Sequence, residues 1–252
     1  MSNVLKSTAA AGALLLAACG GGPPAPEVKK GAPAFTAVDP AAAAKVTGKA
    51  VFTGKAPANK PINMSEEPEC RKLHPGAARE NDVVVGSGGT LANVFVYVKT
   101  GLEGRTFAPP AGTVKIDQRG CTFQPRVLGI RSGQAMTVVN SDPVSHNIHP
   151  MPKNNREWNQ GQAPGAPNLE RDFARPEIMI PVKCNVHNWM RAWIGVVDHP
   201  YFAVTAADGS FEIGGLPPGS YTLEAWHEKF GVQTASVTLA ASGAAKAEFK
   251  FQ

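Results

Sequence analysis

The 252-residue sequence has no apolar run long enough to cross a bilayer. Residues 9–18 (AAAGALLLAA) fall well short of the roughly 20 residues a spanning helix needs. Charge is sparse at 18%, and the Lys and Arg behind the formal net charge of +5 are scattered. Nowhere do they form a dense basic patch interleaved with aromatics, which argues against a nucleic-acid partner. Sustained 3.6-residue periodicity is missing and no repeat of fixed length appears, which excludes helical bundles and solenoids. Cysteines number four and histidines six, so any metal chemistry must come from a few positions.

Glycine (26) and proline (22) are plentiful, together about a fifth of the chain, and they break it into short segments. Runs of β-branched or aromatic alternation recur at 46–52, 91–98, 113–116, 135–139, 178–182 and 193–197. Others follow at 203–206, 210–213, 221–225, 235–239 and 247–251. Turn signals such as Asp208-Gly209 and Pro217-Pro218-Gly219 separate them. Short strands at such spacing predict an all-β sandwich or barrel.

The first residues read as a targeting signal: one lysine, Lys6, then the short apolar run. The run ends in Leu16-Ala17-Ala18-Cys19, which resembles the lipobox of bacterial lipoproteins. That resemblance implies cleavage of a signal peptide at 1–18, lipidation of Cys19 and a periplasm-facing membrane anchor. Gly20 after the cysteine resembles the outer-membrane sorting pattern. Residues 19–44, rich in Ala, Pro and Gly, are expected to form a flexible tether.

With Cys19 assigned to the anchor, Cys70, Cys121 and Cys184 remain. An exported chain sits in an oxidising space, where an odd cysteine needs a reason to stay unpaired. Metal ligation by Cys184 supplies one. Cys70 and Cys121 are then either a disulfide or two buried thiols, and the compartment favours the disulfide.

The tail has its own signature. Val204-Thr205-Ala206-Ala207-Asp208-Gly209-Ser210-Phe211-Glu212-Ile213, followed by Leu216-Pro217-Pro218-Gly219-Ser220-Tyr221-Thr222-Leu223, resembles the carboxypeptidase regulatory-like domain. That family is a small transthyretin-like sandwich, grouped with carbohydrate-binding-like folds, and the likeness says little about function. Its early strands would be Val46-Thr47-Gly48-Lys49-Ala50-Val51-Phe52 and Asn93-Val94-Phe95-Val96-Tyr97-Val98, far upstream of the rest. This implies one sandwich made of residues 45–110 and 200–252, with residues 111–199 inserted. The alternative is three consecutive pieces, in which 45–110 folds alone.

The middle segment carries the chemistry. Cys184-Asn185-Val186-His187-Asn188-Trp189-Met190 places a thiolate, an imidazole and a thioether on one short loop between two expected strands. That donor set suits an ion cycling between Cu(I) and Cu(II), and selects copper over zinc or iron. A second imidazole must come from Val139-Asn140-Ser141-Asp142-Pro143-Val144-Ser145-His146-Asn147-Ile148-His149, where spacing cannot decide between His146 and His149. The V-N step, the H-N-x-H pair and the C-x-x-H-x-x-M-R ending together resemble the cupredoxins, in their amicyanin and plastocyanin branch. The resemblance implies a Greek-key β-sandwich over 111–199 and one type 1 (blue) copper. Its ligands would be His146, Cys184 and His187, with Met190 as the long axial ligand. By the same resemblance Asn147 would tie the two ligand loops together and hydrogen-bond near the sulfur. His149 is then a surface or hydrogen-bonded histidine, and Trp189 borders an apolar patch beside the ligands.

Elsewhere, His74 follows Cys70 by four residues but no further ligands cluster with it, and His199 and His227 read as packing at strand ends. Four protein ligands leave no open coordination position, which argues against an enzyme and for a one-electron carrier. Its partner would be a c-type cytochrome or a dehydrogenase on the periplasmic side. Copper delivery, or a glycan- or protein-binding sandwich without redox role, are the alternatives.

Overall fold

The computed structural model describes residues 35–252. The expected signal peptide, the lipidation site Cys19 and the expected tether up to residue 34 lie outside the described residues. The rest of the expected tether is not free. Thr36 donates its N–H to the Thr106 carbonyl at 2.7 Å, and Ser242 bonds the carbonyls of Ala41 and Ala42. Extended chain at 44–52 already has a sheet to join, so its approach is fixed by backbone pairing.

Among the described residues sixteen strands and one short α-helix follow in order: β1 (Ala44–Phe52), α1 (Pro68–Lys72), β2 (Phe95–Thr100), β3 (Val114–Gln118), β4 (Phe123–Gln124), β5 (Val127–Arg131) and β6 (Met136–Asn140). Next are β7 (His146–Pro150), β8 (Gln160–Gln162), β9 (Leu169–Arg171), β10 (Glu177–Lys183) and β11 (Arg191–Val197). The chain ends with β12 (Phe202–Val204), β13 (Ser210–Leu216), β14 (Gly219–His227), β15 (Gly231–Leu239) and β16 (Ala244–Phe251). The protein is all-β, as the alternating runs predict.

Four sheets result. Two draw their strands from both ends of the sequence, in the orders β13-β1-β16 and β12-β2-β14-β15. The other two use only residues 114–197, in the orders β5-β11-β10-β7-β8 and β4-β3-β6-β9. β1 runs parallel to β16 through eight paired positions, Lys45 with Ala244 to Phe52 with Phe251. That pairing sets the first described strand beside the last. The β14–β15 hairpin pairs continuously from Gly219 with Leu239 to His227 with Gly231.

Each pair of sheets closes on its own core. One core packs Val46, Val96, Leu223, Phe249 and Phe251; the other packs Ile116, Val138, Ile148, Ile180 and Ile194. A third cluster, with Phe95, Tyr97, Val127 and Met179, joins them.

Two features depart from the expectations. The run 91–98 is not one strand: Asn93 adopts φ +61, and Val94 bonds Thr205 through its N–H and carbonyl before β2 starts at Phe95. Residues 59–82, expected to belong to the first sandwich, instead form a strap that leaves it. The strap departs and rejoins side by side, with Ile62 N–H on the Ala78 carbonyl and Glu80 N–H on the Lys60 carbonyl. Its Met64 and Cys70 enter the second core, and α1 lies within it. Among the described residues no helix is long and apolar enough to cross a membrane.

Candidate metal centre

Two elements deliver the candidate ligands. β10 and β11 are paired from Ile180 with Ile194 to Lys183 with Arg191, so both ends of residues 184–190 are pinned. The loop closes on itself: Cys184 N–H bonds the Met190 carbonyl at 3.2 Å, and Met190 N–H bonds the His187 carbonyl at 3.0 Å. Cys184, His187 and Met190 are thereby held in the core. His146 opens β7, which is paired to β8 on one side and to β10 on the other.

His146, Cys184 and His187, all buried, bring one ligand atom each within 4.8 Å of one another. The two imidazoles turn Nδ1 toward each other at 2.9 Å, and His187 Nδ1 stands 3.8 Å from Cys184 Sγ. Two ring nitrogens and a sulfur converging inside a core repel one another unless a proton or a cation sits among them. Burial by itself would raise the Cys184 thiol pKa. Hydrogen bonds from His146 and His187, with the His187 N–H at 3.4 Å from the sulfur, outweigh burial and bring it down to about 5. The surrounding donors thus favour the thiolate, the form that ligates metal. Among the described residues Cys184 is also the free cysteine, because Cys70 and Cys121 are joined in a disulfide.

The outer nitrogens of both rings are occupied as well. His146 Nε2 lies 2.9 Å from Asp142 Oδ2. Burial opposes charge on both groups, yet their contact raises the His146 pKa and lowers that of Asp142, which also accepts the N–H groups of Cys121 and Gly120. His187 Nε2 faces Glu67 Oε2 at 3.5 Å and Cys70 Sγ at 3.6 Å, both on the strap. The Trp189 ring stands 5.2 Å from that of His187. His187 is 1% exposed, so the strap closes what would otherwise be the imidazole's open edge.

Asn147 Oδ1 accepts the Asn185 N–H at 2.7 Å and lies 3.3 Å from Cys184 Sγ, tying β7 to the loop beside the sulfur. His149 points elsewhere, toward Glu157 Oε1 at 2.6 Å and Asn185 Oδ1 at 3.2 Å. His74 Nε2 donates to the Gly120 carbonyl at 2.7 Å, which accounts for it without a metal. His199 donates through Nε2 to the Val98 carbonyl, and His227 stacks on Phe230.

Sequence reading missed Asp142 and Glu67. Asp142 stands four residues before His146, a signal only in hindsight, because a turn and not a helix separates them. Glu67 could not be found, since nothing in the sequence brings the strap over the loop.

This fold is a pair of β-sandwiches, one of them carrying a buried Cys/His centre. A family model, the carboxypeptidase regulatory-like domain, matches residues 194–252. Among solved structures, similar chains include a purple cupredoxin from Nitrosopumilus maritimus, 21% identical over 33% of this chain and 98% of that one, with a TM-score of 0.28. A reduced amicyanin variant is 17% identical over 40% of this chain and 97% of its own, with a TM-score of 0.30. A Cu-containing nitrite reductase from Thermus scotoductus SA-01 is 18% identical over 40% of this chain, with a TM-score of 0.32. Only 25% of that enzyme is covered. No curated protein sequence matches the chain significantly.

Proposed function

We propose that this protein is a type 1 copper protein that carries single electrons. The observation behind the reading is the convergence of His146 Nδ1, His187 Nδ1 and Cys184 Sγ in a closed core. Two imidazoles and a thiolate fit copper in either oxidation state, and the thioether of Met190 would be a further, weaker donor. Bound copper would supply the one-electron couple. The chain's own contribution is rigidity: a loop pinned at both ends, Asn147 bridging it to β7, and rings held by Asp142 and the strap. Ligands that do not move between oxidation states keep the reorganisation accompanying each transfer small.

The site is filled by protein groups and is shut from water, which supports electron transfer over catalysis at the metal. The lipobox-like start supports a periplasm-side reading with Cys19 as the anchor, and a c-type cytochrome or a dehydrogenase would then be the fitting partner. In this reading the segment 111–199 is the copper domain, inserted between the two parts of the regulatory-like sandwich.

The test is an absorption and EPR spectrum of the Cu(II)-loaded chain, wild type against Cys184→Ser. An intense thiolate-to-copper band in the visible, near ~600 nm for a His₂Cys site, is expected in the wild type and lost in the variant. A colourless wild type, or a band that survives in Cys184→Ser, overturns the reading. Reversible one-electron cycling of the bound copper separates carriage from delivery, for which Cu(I) would pass rapidly to a chelator.

A further inference from the structure

The turn at Gly120 and Cys121 is where the strap meets the metal centre. Both residues adopt left-handed backbone, φ +64 and +49, and their successive N–H groups converge on one carboxylate. Gly120 N–H lies 2.6 Å from Asp142 Oδ1, and Cys121 N–H lies 2.7 Å from Asp142 Oδ2. Such a nest of backbone donors holds an anion, here the carboxylate that receives His146 Nε2. A left-handed conformation costs a cysteine energy and persists where the surroundings impose it. Three contacts do so. The disulfide ties Cys121 to Cys70, Trp189 Nε1 donates to the Cys121 carbonyl at 3.0 Å, and His74 of the strap donates to the Gly120 carbonyl. At the other end of the bridge, Cys70 Sγ lies against His187 Nε2. One covalent link thus stands behind both imidazoles, from a segment outside the strands that carry them.

We propose that the Cys70–Cys121 bridge, acting through Asp142 on one ring and directly on the other, is the positioning element of the metal centre. It keeps the Cys121 turn in the conformation that presents two N–H groups to Asp142. Asp142 in turn fixes the proton of His146 on Nε2 and leaves Nδ1 as the ligand atom. Cys70 and Glu67 fill the space into which His187 would otherwise rotate. Carboxylate partners of this kind orient a ligating imidazole and raise its basicity. The spectroscopic part of the proposal rests on the copper reading above; the ring-proton part does not.

The test compares the purified full chain with Cys70→Ala/Cys121→Ala and with Asp142→Asn, all checked for folding by circular dichroism. In the copper-loaded protein both variants should keep a thiolate band. Both should bind copper about ten- to a hundred-fold more weakly and show a changed hyperfine coupling and a higher reduction potential. Folded variants with wild-type affinity, coupling and potential overturn the proposal. Should the double variant not fold, Asp142→Asn decides alone, because the amide keeps the shape but has one neutral oxygen for the three donors that the carboxylate receives from Gly120, Cys121 and His146. A wild type without a thiolate band would sink the copper reading and leave a second readout. In the metal-free chain at alkaline pH, nitrogen NMR should place the His146 ring proton on Nε2, and on Nδ1 in Asp142→Asn. A proton on Nδ1 in the wild type, or one that Asp142→Asn does not move, overturns the positioning role.

Discussion

The ring of Phe95 lies over Gly195 so closely that a β-carbon there would stand 2.7 Å from it. Gly195 is paired across β11 and β5 with Gly129, where a β-carbon would meet the Phe202 ring at 2.4 Å. Two glycines side by side make a trough in one sheet, and the rings of β2 and β12 from the neighbouring sandwich fill it. This is how residues 114–197 and the flanking strands are locked together.

Gly195→Ala and Gly129→Ala should each destabilise the protein by about 1–3 kcal/mol, the usual cost of forcing extra atoms into a packed interior. Gly161→Ala on β8, where an added β-carbon meets nothing within 4 Å, serves as the control and should change stability by less than about 0.5 kcal/mol. Urea unfolding followed by tryptophan fluorescence reads all three. Equal midpoints for the three variants would show that the trough is not close-packed.

Why glycines sit inside strands was not legible in the sequence, because the reason lies in another sheet. The all-β class was legible, since alternation survives wherever one face of a strand is wet. β7 was missed: in His146-Asn147-Ile148-His149-Pro150 polar side chains point inward, so hydrophobic alternation vanishes where the site is built. The strap was missed for a related reason. Met64 and Cys70 are isolated apolar anchors in a polar stretch, with no period to announce them. Of the candidate site, the Cys184–Met190 loop could be read directly because its donors are neighbours in sequence. His146 needed a family resemblance, and its carboxylate partner meets it only through the fold of the Asp142 turn.

A second lock is electrostatic. Arg126, just before β5, makes two parallel bonds to Glu228 at the β14–β15 turn, at 2.5 and 2.8 Å, and a third to Asn81 of the strap at 2.6 Å. Both charged side chains are more than nine-tenths buried. Arg126→Ala leaves Glu228 as an unpaired buried charge and should cost about 3–5 kcal/mol. Arg126→Met combined with Glu228→Leu removes both charges and should recover most of that loss. A double variant as unstable as the single one would mean that the pair acts through packing of the arginine stem instead.

Acid sensitivity should arise in part from His227. Burial is the main cause that holds its pKa down to about 4, and its Nε2 has no hydrogen-bond partner. The folded state therefore refuses a proton that the unfolded chain, with a pKa near 6.5, accepts. As pH falls from 6.5 toward 4 the unfolded state gains protons and stability drops, by roughly 3 kcal/mol in all. Above pH 6.5 the ring is neutral in both states and contributes no slope. His227→Phe, which preserves stacking on Phe230, should flatten this part of the profile. Urea midpoints at pH 5 and pH 7.5 measure it, and an equal acid loss in wild type and variant would acquit the histidine.

Asn147 and His149 stand two residues apart on β7 and make opposite predictions for metal binding. Asn147 holds the Asn185 N–H and borders the Cys184 sulfur, so Asn147→Ala unpins the start of the ligand loop without removing a ligand. Loss of such an outer contact lowers metal affinity by about ten- to a hundred-fold. The variant should thus surrender copper to a chelator that leaves the wild type loaded, while keeping a visible thiolate band. His149→Ala removes only the contacts with Glu157 and the Asn185 side chain, so affinity and spectrum should stay as in the wild type. Were His149→Ala to abolish the band and His146→Ala to spare it, the imidazole ligand would be the wrong one of the pair. The convergence on His146 would then be a packing contact.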